Sequence, residues 1–436
     1  MIVLIALHIF VLFNLQFTAW PEMLSFPYVI DKGFLIFKDF HHVYQPLLTF
    51  ILLGVYKVFG FNILSLKIFT YVLFGLVDLM IFLNVKKITG KNNIALIALG
   101  IYVLLQPVFD GNMLWYDIGV ILPVLLSIYF VNTNLFLSGL FVAIAFLTKQ
   151  QAVLLGLSIF IYLIYKKEKL KDLLKFILGC IAPVFILGAI LFKFNLINDY
   201  LFWTFEFPLI HLPEIEGYAI LPNSKETLIL IITGLTLITG TVLNYKKINS
   251  RYFLLLFSLM FMVLSAFPRF SLFHLQPALA IFVVVVGYLL VFDRKYFILM
   301  LLPLLYLWKG VLLNPIKEDR FYTQSDINMA NEIKNRVGNE KVYFLGLSSI
   351  YYVLTDTISP KPWIENYVWH FEIPELQDKV IDGWKIDPPK YIYWSKPRAG
   401  NWYDLATYQP KEIVEYIREN YMKIDEIDDL EVWRLK

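Results

Sequence analysis

The chain has 436 residues, 58% of them hydrophobic and 17% charged, against about 45–50% and about 25% in ordinary soluble domains. With a mean hydropathy of +0.64, so much apolar surface cannot all be hidden from water, which excludes a mainly soluble chain and a disordered one. The net charge of +3 is too small to point to nucleic acid, and the single cysteine, Cys180, excludes an intramolecular disulfide framework and a Cys-based metal site.

A membrane-spanning helix needs about 20 mostly apolar residues. Apolar runs of roughly that kind predict about 11 transmembrane helices near 1–19, 64–85, 94–109, 116–131, 135–148, 152–165, 173–194, 226–245, 252–267, 274–292 and 296–313. The first lacks a basic leading segment, and Ala19-Trp20-Pro21 is a poor cleavage site, so it reads as an anchor rather than a signal peptide. Pro46–Gly60 is also apolar, but it is short and carries Lys57. Read as an interfacial helix on the outer surface, it leaves Lys86, Lys87, Lys91, Lys166, Lys167, Lys169, Lys171, Lys246, Lys247, Arg251, Arg294 and Lys295 on the cytoplasmic side. Read as a span, it would invert every one of these placements.

The expected architecture is a polytopic α-helical membrane domain over residues 1–314, followed by a small α/β domain over 315–436. The N-terminus is cytoplasmic, and outer loops fall at 20–63, 110–117 and 195–225. Of the 35 acidic residues, 21 lie in the last 122, so that stretch reads as water-soluble and extracytoplasmic. Within it, helices are predicted at Ile327–Val337, with Ser325 or Asp326 as N-cap, and at Lys411–Asn420; strands are predicted at Val342–Leu347, Tyr391–Trp394 and Leu430–Leu435. No phosphate-binding glycine loop and no nucleophile elbow occurs there.

Ionisable residues at a membrane boundary are costly and therefore informative. The first outer loop carries Glu22 and Asp39, framed by Trp20, Pro21, Tyr28, Gly33 and Gln45-Pro46. Such a pair can supply a general base and a supporting acid or metal ligand; equally, it can be a solvated loop whose acids keep it outside. The second outer loop adds Asp110 and Asp117 beside Trp115 and Tyr116, either more of one site or an aromatic belt with turn-forming residues. Lys149 and Arg269 break the outward charge bias, and His274 follows Arg269 closely. Phosphate recognition explains cations there, and snorkelling is the bland alternative. Adjacent His41 and His42 point to opposite faces if the segment is extended, which argues against a shared metal. Asp78 lies within a predicted span with no evident partner, and Leu201–Tyr218 is aromatic with scattered acids.

The ordered set Glu22, Tyr28, Gly33, Asp39-Phe40, Gln45-Pro46-Leu47 and Phe59-Gly60, with Leu147-Thr148-Lys149-Gln150 and Pro268-Arg269-Phe270 ahead of His274 and Pro277, resembles the GT-C membrane glycosyltransferases. The nearest branch is the protein-mannosyltransferase, aminoarabinose-transferase and RgtA-like group, and the resemblance covers residues 1 to about 290. It implies transfer of a sugar from a polyprenyl-phosphate donor to a glycan, lipid or protein acceptor at the outer face of the plasma membrane. It also implies that Glu22 or Asp39 is the base, that Asp110 or Asp117 is the acid of the following outer loop, and that Lys149, Arg269 and His274 face the donor phosphate. Many members have an Asp-Glu pair at the first acidic position, whereas here Pro21 precedes a single Glu22, so the choice of base stays open. No cofactor is identified, and a divalent cation is left open. The rival readings are a transporter or lipid flippase, and an inactive GT-C-like scaffold.

Overall fold

The computed structural model describes all residues except 216, 293–307, 309–317, 364–370, 372–373, 396–410 and 428–429. The chain divides into two compact units. A helical unit comprises Met1–Thr18, Lys67–Ile190 and Ala219–Lys317; a mixed unit comprises Ala19–Leu66, Leu191–Tyr218 and Glu318–Lys436.

Ten of the expected apolar runs are helical, and the eleventh, 296–313, lies outside the described residues apart from Trp308. Among the described residues five helices are long and apolar enough to cross a membrane: Ile63–Thr89, Asn92–Phe109, Leu170–Lys193, Glu226–Leu243 and Leu272–Leu289. The others, including Ile2–Phe13, Tyr116–Phe130, Leu135–Thr148 and Ser250–Leu264, are shorter. Burial sorts them. Leu272–Leu289 is 89% buried and forms the centre of the helical unit, whereas Leu170–Lys193 is only 11% buried and turns Phe185 and Phe192 outward. An apolar helix exposed all along its length is stable only against lipid. It meets Leu135–Thr148 through Gly139 and Gly179. A Cβ on either would sit about 2 Å from a carbonyl oxygen, Phe176 O or Phe136 O. Small residues at this crossing let the two backbones touch, the packing that holds helices together where water supplies no hydrophobic drive.

In the mixed unit, Leu47–Phe59 is the helix expected from the apolar run at 46–60. Leu48, Thr49, Leu52 and Tyr56 are buried, while Phe50, Ile51, Val58 and Phe59 are exposed. Residues 197–214, expected as part of a loop, are instead helical: Ile197–Leu201 runs into a π-helical stretch, Phe202–His211, and then Leu212–Glu214. Pro208 inside this stretch lacks an N–H and crowds the carbonyl four residues back, which favours the wider turn. Trp203, Thr204 and Phe207 are buried on one side of it.

The C-terminal segment contributes a four-stranded sheet of order β1-β2-β4-β3, with β1 Val342–Leu345, β2 Tyr391–Ser395, β3 Tyr421–Ile427 and β4 Leu430–Leu435. β1 and β2 are parallel; β2–β4 and β4–β3 are antiparallel. The wholly buried Val-Tyr-Phe-Leu of β1 suits a strand covered on both faces. The charged, exposed β3 with its register shift at Lys423/Asp425 makes a protected edge. Helix Lys411–Asn420 buries Ile413, Val414 and Ile417, one face of a helical period.

The helix expected from residue 327 starts earlier, at Gln324, and its N-cap is Thr323 rather than Ser325 or Asp326. The Thr323 hydroxyl accepts from Asp326 N–H, and Asp326 Oδ2 accepts from Thr323 N–H at 2.8 Å. This reciprocal pair satisfies two orphan donors at once and fixes the start three residues ahead of the acid. Thr323→Ala is expected to cost about 1 kcal/mol, read as a lower unfolding midpoint of the full chain; an unchanged midpoint would show that the cap contributes nothing.

A buried Asp-Lys-His cluster and the first-loop carboxylates

The helical unit brings three of the candidate residues together. Asp117 enters at the first turn of helix Tyr116–Phe130 and is almost fully buried. Lys149 follows the end of helix Leu135–Thr148, where the backbone turns extended. His274 sits in the 3-10 turn Leu272–Leu275 that leads into helix Gln276–Leu289. Lys149 Nζ donates to Asp117 Oδ1 at 2.6 Å, and His274 Nδ1 donates to Oδ2 at 2.8 Å. Each partner enters from a different helix end, so one carboxylate ties three elements. Because Nδ1 is committed to Asp117, the other ring nitrogen, Nε2, is directed away from it. Arg269 is close enough for its charge to act on His274. It is carried on an extended segment pinned by Ile220 N–H to Pro268 O at 3.1 Å and Phe270 N–H to Ile220 O at 2.8 Å. Lys149 and His274 therefore share a single acid, with Arg269 near the histidine.

Asp110 is elsewhere in character. It is exposed and adopts a left-handed conformation, φ 50°, at the end of the 3-10 turn Pro107–Phe109. Its neighbour Asn112 has a role the sequence did not reveal. The Asn112 side-chain amide donates to the carbonyls of Leu12, Leu15 and Gln16 at 2.9–3.0 Å. It thereby satisfies one carbonyl in the last turn of helix Ile2–Phe13 and holds the chain that follows it.

Asp78 also finds its partner. His8 Nδ1 lies 2.9 Å from Asp78 Oδ2, and His8 Nε2 lies 3.1 Å from Gln106 Oε1, all three residues being fully buried. The Gln106 amide nitrogen donates to Gly111 O, which fixes Oε1 toward His8. A carbonyl oxygen can only accept, so Nε2 is the donor toward Gln106. Gln276 Nε2 continues the network to the carbonyls of Gln106 and Phe109, both at 2.9 Å. A Cβ at Gly111 would fall within 2.4 Å of the Gln106 and Gln276 amides, so only glycine fits between them. The chain Asp78–His8–Gln106 thus holds the 106–112 loop against the interior of the helical unit.

The mixed unit holds the first-loop acids. Glu22 opens helix Glu22–Asp31 directly after Pro21 and is buried. Asp39 is committed locally: its Oδ2 accepts from Leu35 N–H at 2.8 Å and from Lys361 Nζ at 2.7 Å. The Asp39 carbonyl also accepts from Trp363 N–H. Further along the same loop, Tyr28 and Lys32 both donate to Asp356 Oδ1, at 2.8 and 2.9 Å. The lysine beside it and the tyrosine hydroxyl hold the Asp356 carboxyl below the usual range. The loop is thus fastened to the C-terminal segment by a row of side-chain bonds.

His41 and His42 do not act as a pair. His41 packs against Trp203 and Trp363. His42 Nδ1 donates to Tyr44 O, and Thr49 donates to its Nε2, both at 2.8 Å. Among the described residues no three His, Cys, Asp or Glu side chains are grouped to hold a metal ion. Burial pushes the His42 pKa down to about 4 from an ordinary 6.5. The native state therefore holds His42 neutral, while the unfolded chain takes up a proton below about 6.5. The stability this residue supports is complete above pH 6.5 and is lost as pH falls toward 4, by about 3 kcal/mol in all. The fall in unfolding midpoint between pH 7 and pH 5 should be smaller in His42→Gln than in the unaltered protein. Identical pH dependence in the two would contradict it.

A family described as dolichyl-phosphate-mannose-protein mannosyltransferase matches residues 43–192, about a third of the chain. In fold the chain is similar to ArnT from Cupriavidus metallidurans in its apo crystal structure, with a TM-score of 0.64 and 10% sequence identity over 99% of this chain and 97% of that one. The crystal structure of ArnT from Cupriavidus metallidurans bound to undecaprenyl phosphate matches at a TM-score of 0.48 and 11% identity, over 99% and 96% of the two chains. No curated protein matches the chain.

Proposed function

We propose that this chain, which has the fold of a GT-C membrane glycosyltransferase, transfers a sugar from a polyprenyl-phosphate donor to an acceptor hydroxyl. The observation that carries the proposal is the buried Asp117, which holds Lys149 and His274 in fixed positions beside Arg269. A leaving phosphate gains negative charge as its bond to the anomeric carbon breaks. Cations held in place before the reaction, in a partly dry pocket, stabilise that charge without having to reorganise. Arg269 supplies a planar fork and Lys149 a point charge, while His274, its Nδ1–H committed to Asp117, presents Nε2 away from the carboxylate. The description of the matching family names a polyprenyl-phosphate sugar donor, which fits this chemistry.

For the acceptor, Glu22 is the preferred base. The acceptor oxygen forms a bond to the anomeric carbon, the carbon–oxygen bond to phosphate breaks with its electron pair, and the acceptor proton passes to the carboxylate. Asp39 is the weaker candidate, because its Oδ2 is already shared between a backbone N–H and Lys361. The charge distribution supports a plasma-membrane location with the N-terminus cytoplasmic and the C-terminal segment outside. The acceptor is a glycan, lipid or protein carrying a hydroxyl.

The test is transfer of labelled sugar from a synthetic polyprenyl-phosphate donor by the full-length protein in nanodiscs, with lipid-carrier profiling of cells lacking it. Unused donor should accumulate in those cells. Arg269→Ala should raise the KM for donor far more than that for acceptor; equal effects on both would remove the phosphate role. The Asp78–His8 pair buried in the helical unit is the one observation that favours a transporter, which keeps ionisable groups inside the bilayer. Donor-dependent product formation by the purified protein separates the two readings.

A further inference from the structure

The helical unit has a second cationic feature, unrelated to the Asp117 cluster. A shallow recess open to solvent, its enclosed part only about 20 Å³, lies where helix Ile63–Thr89 ends, helix Tyr116–Phe130 ends and helix Ser250–Leu264 begins. Lys87, Tyr129, Asn132 and Arg251 provide its polar wall, and Ile128 and Leu254 are among its apolar lining. No acidic residue lines it.

Lys87 does not reach freely for water, as a snorkelling lysine would. Its ammonium donates to the Tyr129 carbonyl at 2.6 Å and to the Thr133 hydroxyl at 3.3 Å, and it sits 3.9 Å from the Tyr129 ring centroid. Two of its three donors are thereby used and one remains. Arg251 stands in the first turn of its helix, whose start is capped by Asn249. Its guanidinium charge acts on Lys87. Among the described residues neither cation is paired with a carboxylate. Lys166 close by bonds to Asn132 but is balanced by Glu168 at 2.8 Å. Two like charges facing one recess raise each other's energy, and an anion between them relieves that repulsion. The helix start adds partial positive charge of its own.

We infer that this recess is a binding site for the phosphate headgroup of an anionic phospholipid, with Lys87 and Arg251 on the phosphate and the Ile128–Leu254 wall against the first carbons of the acyl chains. A lipid is favoured over a free anion because the cations are set beside apolar helix surface, in a unit whose helices already face lipid. Basic pockets between transmembrane helix ends take such headgroups. The assignment does not depend on sugar transfer, so it stands or falls separately.

The experiment uses the full-length protein in detergent, supplemented in parallel with phosphatidylglycerol, with phosphatidylcholine and with inorganic phosphate. Lipid retention is read by native mass spectrometry and stability by thermal unfolding. Phosphatidylglycerol should be retained and should raise the midpoint, and retention should fall steeply with added salt. Lys87→Gln and Arg251→Gln should each weaken retention about fivefold, and the double variant tenfold or more. Equal retention of the two lipids, or equal retention by the unaltered and double-variant proteins, would overturn the site. Stabilisation by inorganic phosphate equal to that by phosphatidylglycerol would overturn the lipid assignment. Should the double variant fail to fold, Arg251→Gln and the salt titration of the unaltered protein decide the matter.

Discussion

Replacing Asp117 by alanine is expected to destabilise the helical unit by about 3–5 kcal/mol, a large fraction of the stability of a folded domain, read as a steep fall in unfolding midpoint. The reason is asymmetry. The Lys149 side chain is only 5% exposed, and its ammonium faces a carboxylate 2.6 Å away. Removing the acid leaves a buried cation with no counter-charge, and His274 loses the acceptor that orients its ring. Removing both charges should cost much less than removing one, because the orphaned charge disappears with the second substitution. Asp117→Ala combined with Lys149→Met should therefore recover much of the lost midpoint. Asp117→Asn should lie between, since an amide keeps the shape and one acceptor but not the charge. Thermal unfolding of purified protein in detergent ranks the three. A normal midpoint for Asp117→Ala alone would show that the cluster is not a structural keystone.

Glu22→Gln is expected to lower sugar transfer by about 10²–10⁴-fold while leaving the unfolding midpoint within about 1 kcal/mol of normal. The substitution keeps the volume and the hydrogen-bonding capacity of a buried side chain at a helix start and removes only its ability to take a proton. Asp39→Asn makes the informative contrast. Asparagine can still accept from Leu35 N–H, and the ion pair it loses is with a half-exposed Lys361, a contact worth well under about 1 kcal/mol. Near-normal transfer by Asp39→Asn beside inactive Glu22→Gln assigns the base to Glu22. The reverse pattern assigns it to Asp39, and full activity in both removes the proposed mechanism.

The sequence by itself was enough to locate nearly every helix of the helical unit. Apolar length and apolar period are properties of a local stretch, and local stretches can be read without knowing their neighbours. The same reasoning separated Leu47–Phe59 from the longer apolar runs and found the strands at 342, 391 and 430 within two residues. Local chemistry was misjudged where two signals competed. Asp326 is a good capping residue, yet Thr323 three positions earlier can bond reciprocally with it, and that geometry wins. Aromatic, acidic Leu201–Tyr218 looked like a loop because Pro208 and the scattered acids mask a π-helical stretch.

Polar pairing was beyond the reach of the sequence. Asp117 meets His274 across 157 positions, Asp78 meets His8 across 70, and Asp39 meets Lys361 across 322. Lys149 and His274 were singled out for a phosphate, but their shared attachment to Asp117 was not legible, and Asp78 had no visible partner at all. Gln106, Gln276 and Asn112 gave no signal, since an amide in an apolar run carries no mark of which helix it will face. In a low-dielectric interior a buried charge or donor must find its partner among whichever elements pack beside it. Hydrophobic pattern determines that a helix is buried; only the tertiary arrangement decides which helix ends share a neighbourhood, and hence which acid holds which base.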